Sequence, residues 1–519
     1  MKFDPPAPLR VTPQGATLAA RQSRFRGVLD QLPVSESESV VNTSTLIAPP
    51  ALVRRAEQHD TKAIQALDSA HYLHPFTDHG DLATRGARVI TRADNIYVWD
   101  SEGKQILDGM SGLWCVNAGY GRKELADAAY QQMMTLPFYN SFFQTTNVPA
   151  VQLATKLASI APQVGGRKFE HVFFSSSGSE SNDTNVRMVR RYWDLMGQPQ
   201  RKVIISRNNA YHGSTMAGAS LGGMGGMHAQ GDLPIPDITH IEQPYFYEHA
   251  QPGETPAAFG VRAARWLEEK ILAVGAGRVA AFIAEPVQGA GGVIIPPETY
   301  WPEIQRIVDK HGILLISDEV ICAFGRLGHW FAYEKFGMRP DLVTFAKGVT
   351  SGYIPLGGVM VGDRVAKVLV EKGGEFNHGY TYSGHPVACA VALANIELME
   401  RENLVGRVKD DTGPYLAERF AELAAHPLVG AAETCGFVAG LVLVKNKGRR
   451  EMFDESLGVG MKCRAHCFKN GLIMRAVGDR MIIAPPLVMT RAQIDEMMAL
   501  IRLCLDATLE ELRAAGQLA

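Results

Sequence analysis

The segment "ILLISDEV" at residues 313–320 is a run of apolar residues that ends in Ser317, Asp318 and Glu319. A short apolar run of this kind, bounded by polar residues, predicts a β-strand buried on both faces, as in parallel sheets. Similar runs are "HVFF" (171–174), "KVIIS" (202–206), "AAFIA" (280–284), "LVTFA" (342–346) and "GGVMVG" (357–362). Longer connections, several with helical patterns, separate these runs. The sequence therefore predicts an α/β fold with a large, mostly parallel sheet covered on both faces.

Both ends of the folded region predict a second, smaller lobe of mixed α+β structure. Residues 88–109, "RVITRADNIYVWDSEGKQILDG", alternate strand-like runs with turn residues and predict a small antiparallel ribbon. Toward the other end, "GFVAGLVLVK" (436–445) and "GDRMIIAPPL" (478–487) predict strands. Thr490 and Gln493 fit a capping box at the start of a closing helix.

Residues 1 to about 60 differ from the rest, because they are rich in Pro, Ser, Thr and Glu and show no sustained period. We expect a flexible N-terminal tail there. The expected division of the chain is a tail at 1–60, an N-terminal part of the small domain at 61–120, a large domain at 121–385 and a C-terminal part of the small domain at 386–519.

The composition excludes several classes of function. The 519-residue chain carries 52 Lys and Arg against 54 Asp and Glu, which gives no electrostatic case for binding nucleic acid or an anionic membrane. No run approaches the roughly 18 apolar residues of a membrane helix, and the start "MKFDPPAPLR" lacks the apolar region of a secretory signal. The seven cysteines are scattered and complete no zinc set, so we expect a reducing cytoplasm and no metal site.

Polar or charged residues directly follow four of the predicted strands. The small-residue stretch 175–181 follows "HVFF", Glu285 follows "AAFIA", Asp318 follows "ILLIS" and Lys347 follows "LVTFA". In open α/β sheets, ligands bind beyond the carboxyl ends of the strands. These groups are therefore expected to converge on one edge of the sheet and form a site.

The stretch "SSSGSES" (175–181) is suited to a phosphate group. Its small residues let backbone N–H groups approach a ligand closely, and the helix predicted after it adds its positive N-terminal end. The alternative is an N-cap formed by Ser177 or Ser179 with no ligand at all. The stretch contains neither GK[ST] nor GxGxxG, which excludes a Walker loop and a dinucleotide fingerprint.

Asp318 and Lys347 each have an ordinary interpretation as well as a functional one. A buried carboxylate at a strand end needs a cation or hydrogen-bond donors, and an ion pair with Lys347 or Arg326 would satisfy Asp318. Lys347 alone is consistent with a surface lysine at the end of a strand. A desolvated lysine, in contrast, has a lowered pKa and forms Schiff bases.

A phosphate cradle, a carboxylate and a strand-end lysine, in this chain order, together meet the needs of pyridoxal phosphate. The phosphate of this cofactor needs N–H donors, its ring nitrogen needs an acid partner and its aldehyde needs an amine. Tyr211 and His212 in "NAYHGST" (209–215) offer an aromatic side chain to cover the ring.

From about residue 65 to the C-terminus, the sequence resembles the class III, fold-type I pyridoxal-phosphate aminotransferases. Within this family it is most similar to the ω-transaminases that use pyruvate as acceptor, including the putrescine and polyamine:pyruvate enzymes. The resemblance is carried by "HPFTD", "GLWCVNAGYGR", "LPFYNSFF", "SGSES", "YHGST", "AAFIAEPVQGAGGVIIPPETYWPEI", "SDEVICAFGR", "AKGVTSGYIPLGG", "NHGYTYSGHP" and "NGLIMRAVGDRMIIAPPL". It implies a fold-type I transferase, with a large cofactor-binding domain and a small α+β domain built from both chain ends.

The resemblance also implies roles for the residues at matching positions. Lys347 would carry pyridoxal phosphate as a Schiff base, Asp318 would pair with the pyridine nitrogen, and both would act in catalysis together with Tyr211. Gly178 and Ser179 would hold the phosphate, and Thr381 would reach the phosphate of the neighbouring subunit. The other expected cofactor contacts are Ser177, His212, Glu285, Val320 and Tyr380.

For the substrate pocket, the resemblance implies an aromatic lining of Phe76, Trp114 and Phe142. Arg475 would meet the carboxylate of the keto acid, and a structural salt bridge is the ordinary alternative for this arginine. Three positions depart from the family pattern: Ser181 replaces an alanine, Ala323 a glycine and Leu327 a threonine. None of them removes a reacting group, so we expect them to affect substrate fit rather than the class of reaction.

The implied activity is a ping-pong transfer of an amino group from a primary amine or diamine to pyruvate, which gives alanine and an aldehyde or ketone. The implied assembly is a homodimer, or a dimer of dimers, with sites shared across the interface. Several alternatives stay open: β-alanine or another ω-amino acid as donor, another pyridoxal-phosphate reaction, a cofactor-binding regulatory protein, or an α/β protein whose lysine only ends a strand.

Overall fold

The computed structural model describes residues 59–518. The tail expected at residues 1–60 falls, except for its last two positions, outside this range. Within the described range, none of the helices combines the length and the apolar character needed to cross a bilayer.

Residues 59–160 form helices around a small antiparallel ribbon. The helices are α1 (Thr61–His71), α2 (His79–Arg85), the short α3 (Ser111–Trp114), α4 (Lys123–Thr135) and α5 (Val148–Ile160). The ribbon strands are β1 (Ile90–Asp94), β2 (Tyr97–Asp100) and β3 (Gln105–Asp108).

Residues 169–372 alternate strands and helices. In chain order they are β4 (Phe169–Ser175), α6 (Gly178–Leu195), β5 (Val203–Arg207), α7 (Met216–Leu221), α8 (Gly225–Ala229), β6 (Ile238–Ile241), α9 (Phe246–His249), α10 (Pro256–Val274), β7 (Val279–Ala284) and α11 (Tyr300–His311). There follow β8 (Leu314–Asp318), α12 (Ala332–Lys335), β9 (Leu342–Phe345), a 3-10 helix (Lys347–Thr350), β10 (Gly357–Gly362) and α13 (Asp363–Lys372).

The remaining residues form a helical segment and then a mixed one. They comprise α14 (Pro386–Arg401), α15 (Leu404–Asp410), α16 (Thr412–Ala421), a 3-10 helix (Glu422–Ala425), β11 (Val429–Cys435), β12 (Val438–Leu443) and a 3-10 turn (Glu455–Leu457). The chain ends with α17 (Val459–Lys469), β13 (Leu472–Ile473), β14 (Arg475–Val477), β15 (Arg480–Ile483) and α18 (Arg491–Ala514).

Strands β4 to β10 form one large sheet in the order β4-β10-β9-β8-β7-β5-β6. Strands β5 to β9 are parallel to their neighbours among themselves, whereas β10 is antiparallel to both β4 and β9. All six strands predicted from apolar runs are present, which confirms the mostly parallel sheet. Every residue of β7 is fully buried. Because protein covers both faces, these strands are continuously apolar rather than alternating.

Strand β6 was not predicted from the sequence, and its position in the sheet explains why. It lies at the edge of the sheet and pairs only with β5. The first and last of its four residues, Ile238 and Ile241, are buried, whereas Thr239 and His240 between them are only half-buried. An edge strand that is only partly covered does not need the continuous apolar run by which the central strands were recognised.

The smaller sheets combine both ends of the described chain. The ribbon β1–β3 is completed by β13, which pairs in parallel with β3. A separate antiparallel sheet has the order β11-β12-β15-β14. The predicted capping box at Thr490 is confirmed, because Gln493 N donates to the Thr490 hydroxyl and Thr490 N donates to the Gln493 side chain. The domain boundaries given above stay a prediction.

The buried guanidinium of Arg326 joins three parts of the chain. It donates to the Asn117 side chain at 2.7 Å and to the Ser111 hydroxyl at 3.2 Å, both in the N-terminal segment. It also donates to the carbonyls of Phe437 and Pro485, which flank strands of the C-terminal sheet. Burial lowers the pKa of Arg326 to about 9, so the group is still a cation at neutral pH.

Replacing Arg326 with methionine is therefore expected to destabilise the whole fold. The change leaves several buried acceptors without donors, and each unpaired buried group costs about 1–3 kcal/mol. We expect the free energy of unfolding of the cofactor-free protein to fall by at least about 3 kcal/mol, measured from urea unfolding at fixed protein concentration.

Arg306→Met is the matched control, because Arg306 is half exposed on α11 and pairs with Glu303 on the same helix. A surface pair of this kind contributes at most about 1 kcal/mol. Equal effects of the two substitutions would contradict the joining role of Arg326.

Candidate active site

A cavity of about 350 Å³ lies at the carboxyl ends of β4, β7, β8 and β9. It is lined by nine of the residues that were predicted to contact a cofactor: Ser177, Gly178, Ser179, Tyr211, His212, Glu285, Asp318, Val320 and Lys347. The convergence expected from the strand ends is therefore present. It follows from the parallel sheet, in which neighbouring strands end at the same edge.

Lys347 begins a 3-10 helix and is separated from the end of β9 by one residue, Ala346. Its backbone has a φ of 47°, in the left-handed region that is uncommon for a residue with a side chain. The residue lines the cavity and is otherwise enclosed by protein. Burial lowers the pKa of Lys347, and the charge of Arg475 acts in the same direction against Cys115, Asp318 and Glu285. Lys347 is thus not an ordinary surface lysine.

Asp318 ends the central strand β8 and is 3% exposed. Its Oδ2 accepts hydrogen bonds from His212 Nδ1 at 2.7 Å and Asn182 Nδ2 at 2.8 Å, and its Oδ1 accepts one from Val320 N at 3.1 Å. Among residues 59–518, no lysine or arginine forms an ion pair with it. The ordinary interpretation, an ion pair with Lys347 or Arg326, is therefore wrong.

The loop between β4 and α6 is built as the sequence suggested for a phosphate cradle. Ser177 is the N-cap of α6, where its hydroxyl accepts a hydrogen bond from Glu180 N. Glu180 in turn accepts a hydrogen bond from Ser176 N at 2.7 Å. The N-cap does not exclude a ligand, because the same residues line the cavity and the N-terminal end of an eighteen-residue helix faces it.

A second loop, residues 211–215, closes against this cradle. Ser214 N donates to the Ser179 hydroxyl at 3.1 Å. Gly213 has a φ of 130°, and a Cβ there would lie 2.6 Å from the same hydroxyl oxygen, so no other residue fits. This close approach brings Tyr211 and His212 to the cavity beside the cradle.

Glu285 lines the cavity together with Tyr211 and is 3% exposed. Its carboxyl group accepts hydrogen bonds from Tyr211 N at 3.2 Å and Gly289 N at 2.8 Å. Burial raises the pKa of Glu285. The side chain therefore holds the backbone of Tyr211 in place at the cavity wall.

A second cavity of about 600 Å³ adjoins the first and shares Tyr211, Ile321 and Lys347 with it. Phe76, Trp114 and Arg475, all predicted for the substrate pocket, line it. Burial lowers the pKa of Arg475, yet a guanidinium stays charged. In the described part of the chain Arg475 forms no ion pair, so the structural salt bridge considered for it is not present.

Three predicted site residues lie away from both cavities. Phe142 lines a separate cavity of about 360 Å³ together with His378 and Gly379. Tyr380 donates its hydroxyl to the carbonyl of Glu180 at 2.9 Å, and Thr381 is exposed. Their roles, which the resemblance assigns across a subunit interface for Thr381, stay predictions.

Several other lining residues were not predicted. Asn182 reaches the cavity from the first turn of α6, and Cys115 reaches it from the segment after α3. Arg464 enters the second cavity from α17, together with Met461 and Phe468. A spacing of three and then four residues on a helix was the available signal for this last face.

The three departures from the family pattern lie outside the substrate cavity. Ala323 and Leu327 are buried in the core, and Ser181 is buried beneath the cradle. Among residues 59–518, no cluster of three or more His, Cys, Asp or Glu side chains has the arrangement of a metal site.

All comparisons with known proteins relate this chain to aminotransferases. The sequence model described as "Aminotransferase class-III" matches residues 82–505. A putrescine--pyruvate aminotransferase of Pseudomonas aeruginosa is 60% identical over 449 residues, which cover 86% of this chain and 97% of that protein. A diaminobutyrate--2-oxoglutarate transaminase of Halomonas elongata is 45% identical over 429 residues, covering 81% of this chain and 90% of that protein.

Solved structures agree with this relation. A thermostable (S)-enantioselective ω-transaminase from Thermomicrobium roseum has a TM-score of 0.83 at 42% identity and is matched over 87% of this chain and 100% of its own. The ω-transaminase from Pseudomonas jessenii in complex with PMP has a TM-score of 0.84 at 38% identity, over 88% of this chain and 99% of its own.

Replacing Lys347 with alanine is expected to abolish covalent attachment of pyridoxal phosphate. After borohydride reduction of the wild-type protein, peptide mass spectrometry should find the reduced cofactor on Lys347, because it alone among the described lysines lines the two adjoining cavities. Lys123→Ala is the matched control, since Lys123 is exposed on α4. A cavity-bound label that persists in Lys347→Ala at full stoichiometry would contradict the assignment.

The pH dependence of attachment has a definite sign. Only the neutral amine attacks an aldehyde, and burial lowers the pKa of Lys347 from its usual 10.5. The neutral form therefore persists to lower pH than in an exposed lysine. The attachment rate, followed by absorbance, should fall only as the pH drops through this lowered value; a midpoint at 10.5 or above would contradict the role of burial.

Proposed function

Because the chain belongs to the class III aminotransferases, we propose that it transfers the amino group of a primary amine or diamine to pyruvate. The products are alanine and an aldehyde or ketone. The identity to a putrescine--pyruvate aminotransferase supports this choice of substrates. We further propose pyridoxal phosphate as the cofactor, in accordance with the family and with a structural neighbour that holds PMP.

The observation that carries the proposal is the combination of groups around the first cavity. Asp318 is a buried carboxylate surrounded by hydrogen-bond donors, and no lysine or arginine in the described range pairs with it. Its Oδ1 accepts one hydrogen bond from a backbone N–H and can accept a second one from a protonated ring nitrogen. The cradle at Ser177–Ser179 suits a phosphate, and Lys347 supplies an amine. These residues fit pyridoxal phosphate.

When bound, pyridoxal phosphate supplies an aldehyde that condenses with amines and a ring that accepts an electron pair. Lys347 Nζ, which lines both cavities, would take the proton from the donor carbon and return it. Burial lowers the pKa of Lys347, which favours the neutral amine that this task needs. Asp318 keeps the ring nitrogen protonated, since a buried carboxylate is stabilised by a proton donor.

Arg475 gives the second cavity a means of holding the keto acid. Its guanidinium lines the same cavity as Lys347, and bidentate pairing with a carboxylate is the strongest contact such a group makes. A donor amine without a carboxylate has no use for this contact and meets the apolar and aromatic wall formed by Phe76 and Trp114 instead. The two half-reactions therefore depend on different residues of one cavity.

We propose a homodimer as the active assembly. Large aromatic side chains are exposed close together in the chain: Phe138 (38%), Tyr139 (51%), Phe142 (37%) and Phe143 (90%), with Tyr382 (58%) in ring contact with Phe138. Such a surface is typical of a protein interface. Thr381 lies next to Tyr382 in the chain, and the role predicted for it requires a neighbouring subunit. The cytoplasmic compartment expected from the sequence likewise stays a proposal.

A purified protein supplied with pyridoxal phosphate, pyruvate and 1,4-diaminobutane is expected to form alanine. In the Arg475→Met variant, the rate constant of the pyruvate half-reaction should fall about 10- to 100-fold, since a hydrogen bond to a charged group contributes about 1.5–3 kcal/mol. The amine half-reaction should change less than about 3-fold. Stopped-flow absorbance measures the two halves separately.

The Arg475→Lys variant is the matched control and should lose less, because it keeps the charge but not the bidentate geometry. Equal losses in both half-reactions would contradict the assignment of Arg475. A wild-type protein that binds pyridoxal phosphate but forms no alanine from any amine would contradict the function and favour another reaction of the same cofactor.

A second candidate, an ω-amino acid as donor, is favoured by Arg464. This half-buried guanidinium also lines the second cavity, and no carboxylate in the described range pairs with it. It stacks on the ring of Phe468 at 4.9 Å from the centroid, which leaves its N–H groups free in the plane. No acidic side chain lines this cavity in the described part of the chain, so a carboxylate at the far end of a donor suits it.

The Arg464→Met variant distinguishes the two donor classes in steady-state kinetics. We expect the Michaelis constant for the ω-amino acid γ-aminobutyrate to rise about 10-fold or more, because a charge-assisted hydrogen bond is lost. The Michaelis constant for butylamine should not change, and the constant for the diamine putrescine should fall because a repelling charge is removed. Arg464→Lys should retain most of the preference. Parallel changes for all three donors would contradict this second candidate.

A further inference from the structure

Two adjacent side chains on the first turn of α6, Ser181 and Asn182, are both fully buried and point to different parts of the cavity wall. Ser181 contacts the cradle at one end, and Asn182 contacts Asp318 at the other. Neither is part of the set of cofactor contacts that the family pattern implies. Ser181 is, moreover, one of the positions at which this chain departs from that pattern.

Ser181 braces the cradle from below. Its hydroxyl lies 2.8 Å from the carbonyl oxygen of Ser177 and 2.7 Å from the hydroxyl of Ser175, which itself lies 3.0 Å from the same carbonyl. One hydroxyl therefore donates to the carbonyl and the other donates to its neighbour. With alanine at position 181 this closed set of contacts would be lost. Ser177 is the N-cap of α6, so the brace fixes the backbone whose N–H groups surround the phosphate site.

Asn182 uses its whole amide group. Its Nδ2 donates to Asp318 Oδ2 and to the backbone carbonyl of His212, both at 2.8 Å. Its Oδ1 accepts from the Thr344 hydroxyl at 2.9 Å and from Asn185 Nδ2 at 3.0 Å. All the side chains in this network are fully or almost fully buried, so water does not compete for these contacts.

The network admits only one orientation of the Asn182 amide. A reversed amide would place its oxygen against two acceptors, the carboxylate of Asp318 and the carbonyl of His212, and its nitrogen against the amide nitrogen of Asn185. With the observed orientation, all three partners of the Asp318 carboxylate are nitrogen atoms that donate hydrogen bonds. These contacts leave Oδ1 with a single backbone partner, Val320 N.

The two contacts differ in what they would do for a bound cofactor. Ser181 acts on the phosphate end through the Ser177 backbone, whereas Asn182 acts on the ring-nitrogen end through Asp318. Thr344, which completes the Asn182 network, lies on β9 three residues before Lys347. The start of α6 thus contacts the phosphate cradle through Ser181, and Asp318 and strand β9 through Asn182.

We propose that Ser181 and Asn182 are positioning residues through which the first turn of α6 fixes both ends of the cofactor. Ser181 holds the phosphate end and Asn182 the ring-nitrogen end. The proposal rests on pyridoxal phosphate as the cofactor.

The test compares the affinity of the cofactor-free variants for pyridoxal phosphate and for pyridoxal, which has no phosphate. Ser181→Ala should lower the affinity for pyridoxal phosphate about 2- to 10-fold, the range for one neutral hydrogen bond, and should leave the affinity for pyridoxal unchanged. Asn182→Asp should weaken both ligands to the same extent, about 10- to 100-fold, because a carboxylate then faces Asp318. Equilibrium titration by absorbance measures both.

The pH dependence of Asn182→Asp adds a readout that a merely structural role would not produce. At lower pH the pair of carboxyl groups holds a proton, and the protonated member again donates to the other. The affinity of this variant relative to wild type should therefore recover as the pH is lowered, and the absorption spectrum of the bound cofactor should return toward that of wild type. The ratio for Ser181→Ala should not change.

Two further variants guard against a loss of folding. Thr344→Val removes one hydrogen-bond donor to Asn182 at nearly constant volume. It should lower the affinity for both ligands, less than Asn182→Asp does, and this loss should not be reversed at lower pH. Ser220→Ala is the matched control for Ser181, because Ser220 is a buried helical serine that donates to the carbonyl four residues earlier, at Met216. It should change neither affinity.

The proposal is overturned if Ser181→Ala weakens both ligands equally, if Asn182→Asp weakens only the phosphorylated one, or if neither variant differs from wild type. A wild-type protein that binds no pyridoxal phosphate would instead overturn the proposed function, so the two failures are distinguishable.

Discussion

The structure depends on the burial of one carboxylate at the end of its central strand. Strand β8 is the fourth of seven in the large sheet, and Asp318 at its end is 3% exposed. Removing an ionised carboxylate from water is costly unless donors or a cation replace the lost hydration. Here His212, Asn182 and the backbone of Val320 supply donors from three separate segments. The loops around the cavity are arranged so that these donors meet at Asp318.

The same edge of the sheet sets the position of Lys347. Strand β9 pairs in parallel with β8, so the residue after it must emerge beside Asp318. The left-handed backbone at Lys347 turns the chain at once into a 3-10 helix instead of continuing the strand. Next to it, a Cβ on Gly348 would lie 2.5 Å from the Asn117 side chain, which requires glycine there. The small residues after the lysine thus leave space for the packing that holds it.

The second cavity combines two guanidinium groups with an apolar wall. Arg475 and Arg464 line it together with Phe76, Trp114 and several methionines, and no acidic side chain of the described residues takes part. An ammonium group at the far end of a diamine would meet aromatic faces and thioether sulfurs rather than carboxylates. Recognition of donor and acceptor therefore depends on how these charged and aromatic groups share one space. That balance, and not the cofactor chemistry, distinguishes members of a family with one reaction mechanism.

The sequence by itself determined the sheet and most of the groups that line the first cavity. Continuous apolar runs identified the six strands, and the residues that follow them identified Lys347, Asp318 and the cradle, since parallel strands expose their carboxyl ends at one edge. The tertiary structure alone decided what surrounds them. Asn182 and Arg464 reach the cavities from helices, where their spacing does not tell which cavity they face, and Tyr380 and Thr381 do not line the cavities of their own chain. A strand end is fixed by local periodicity, whereas the partners of a side chain are fixed by contacts between segments far apart in the chain.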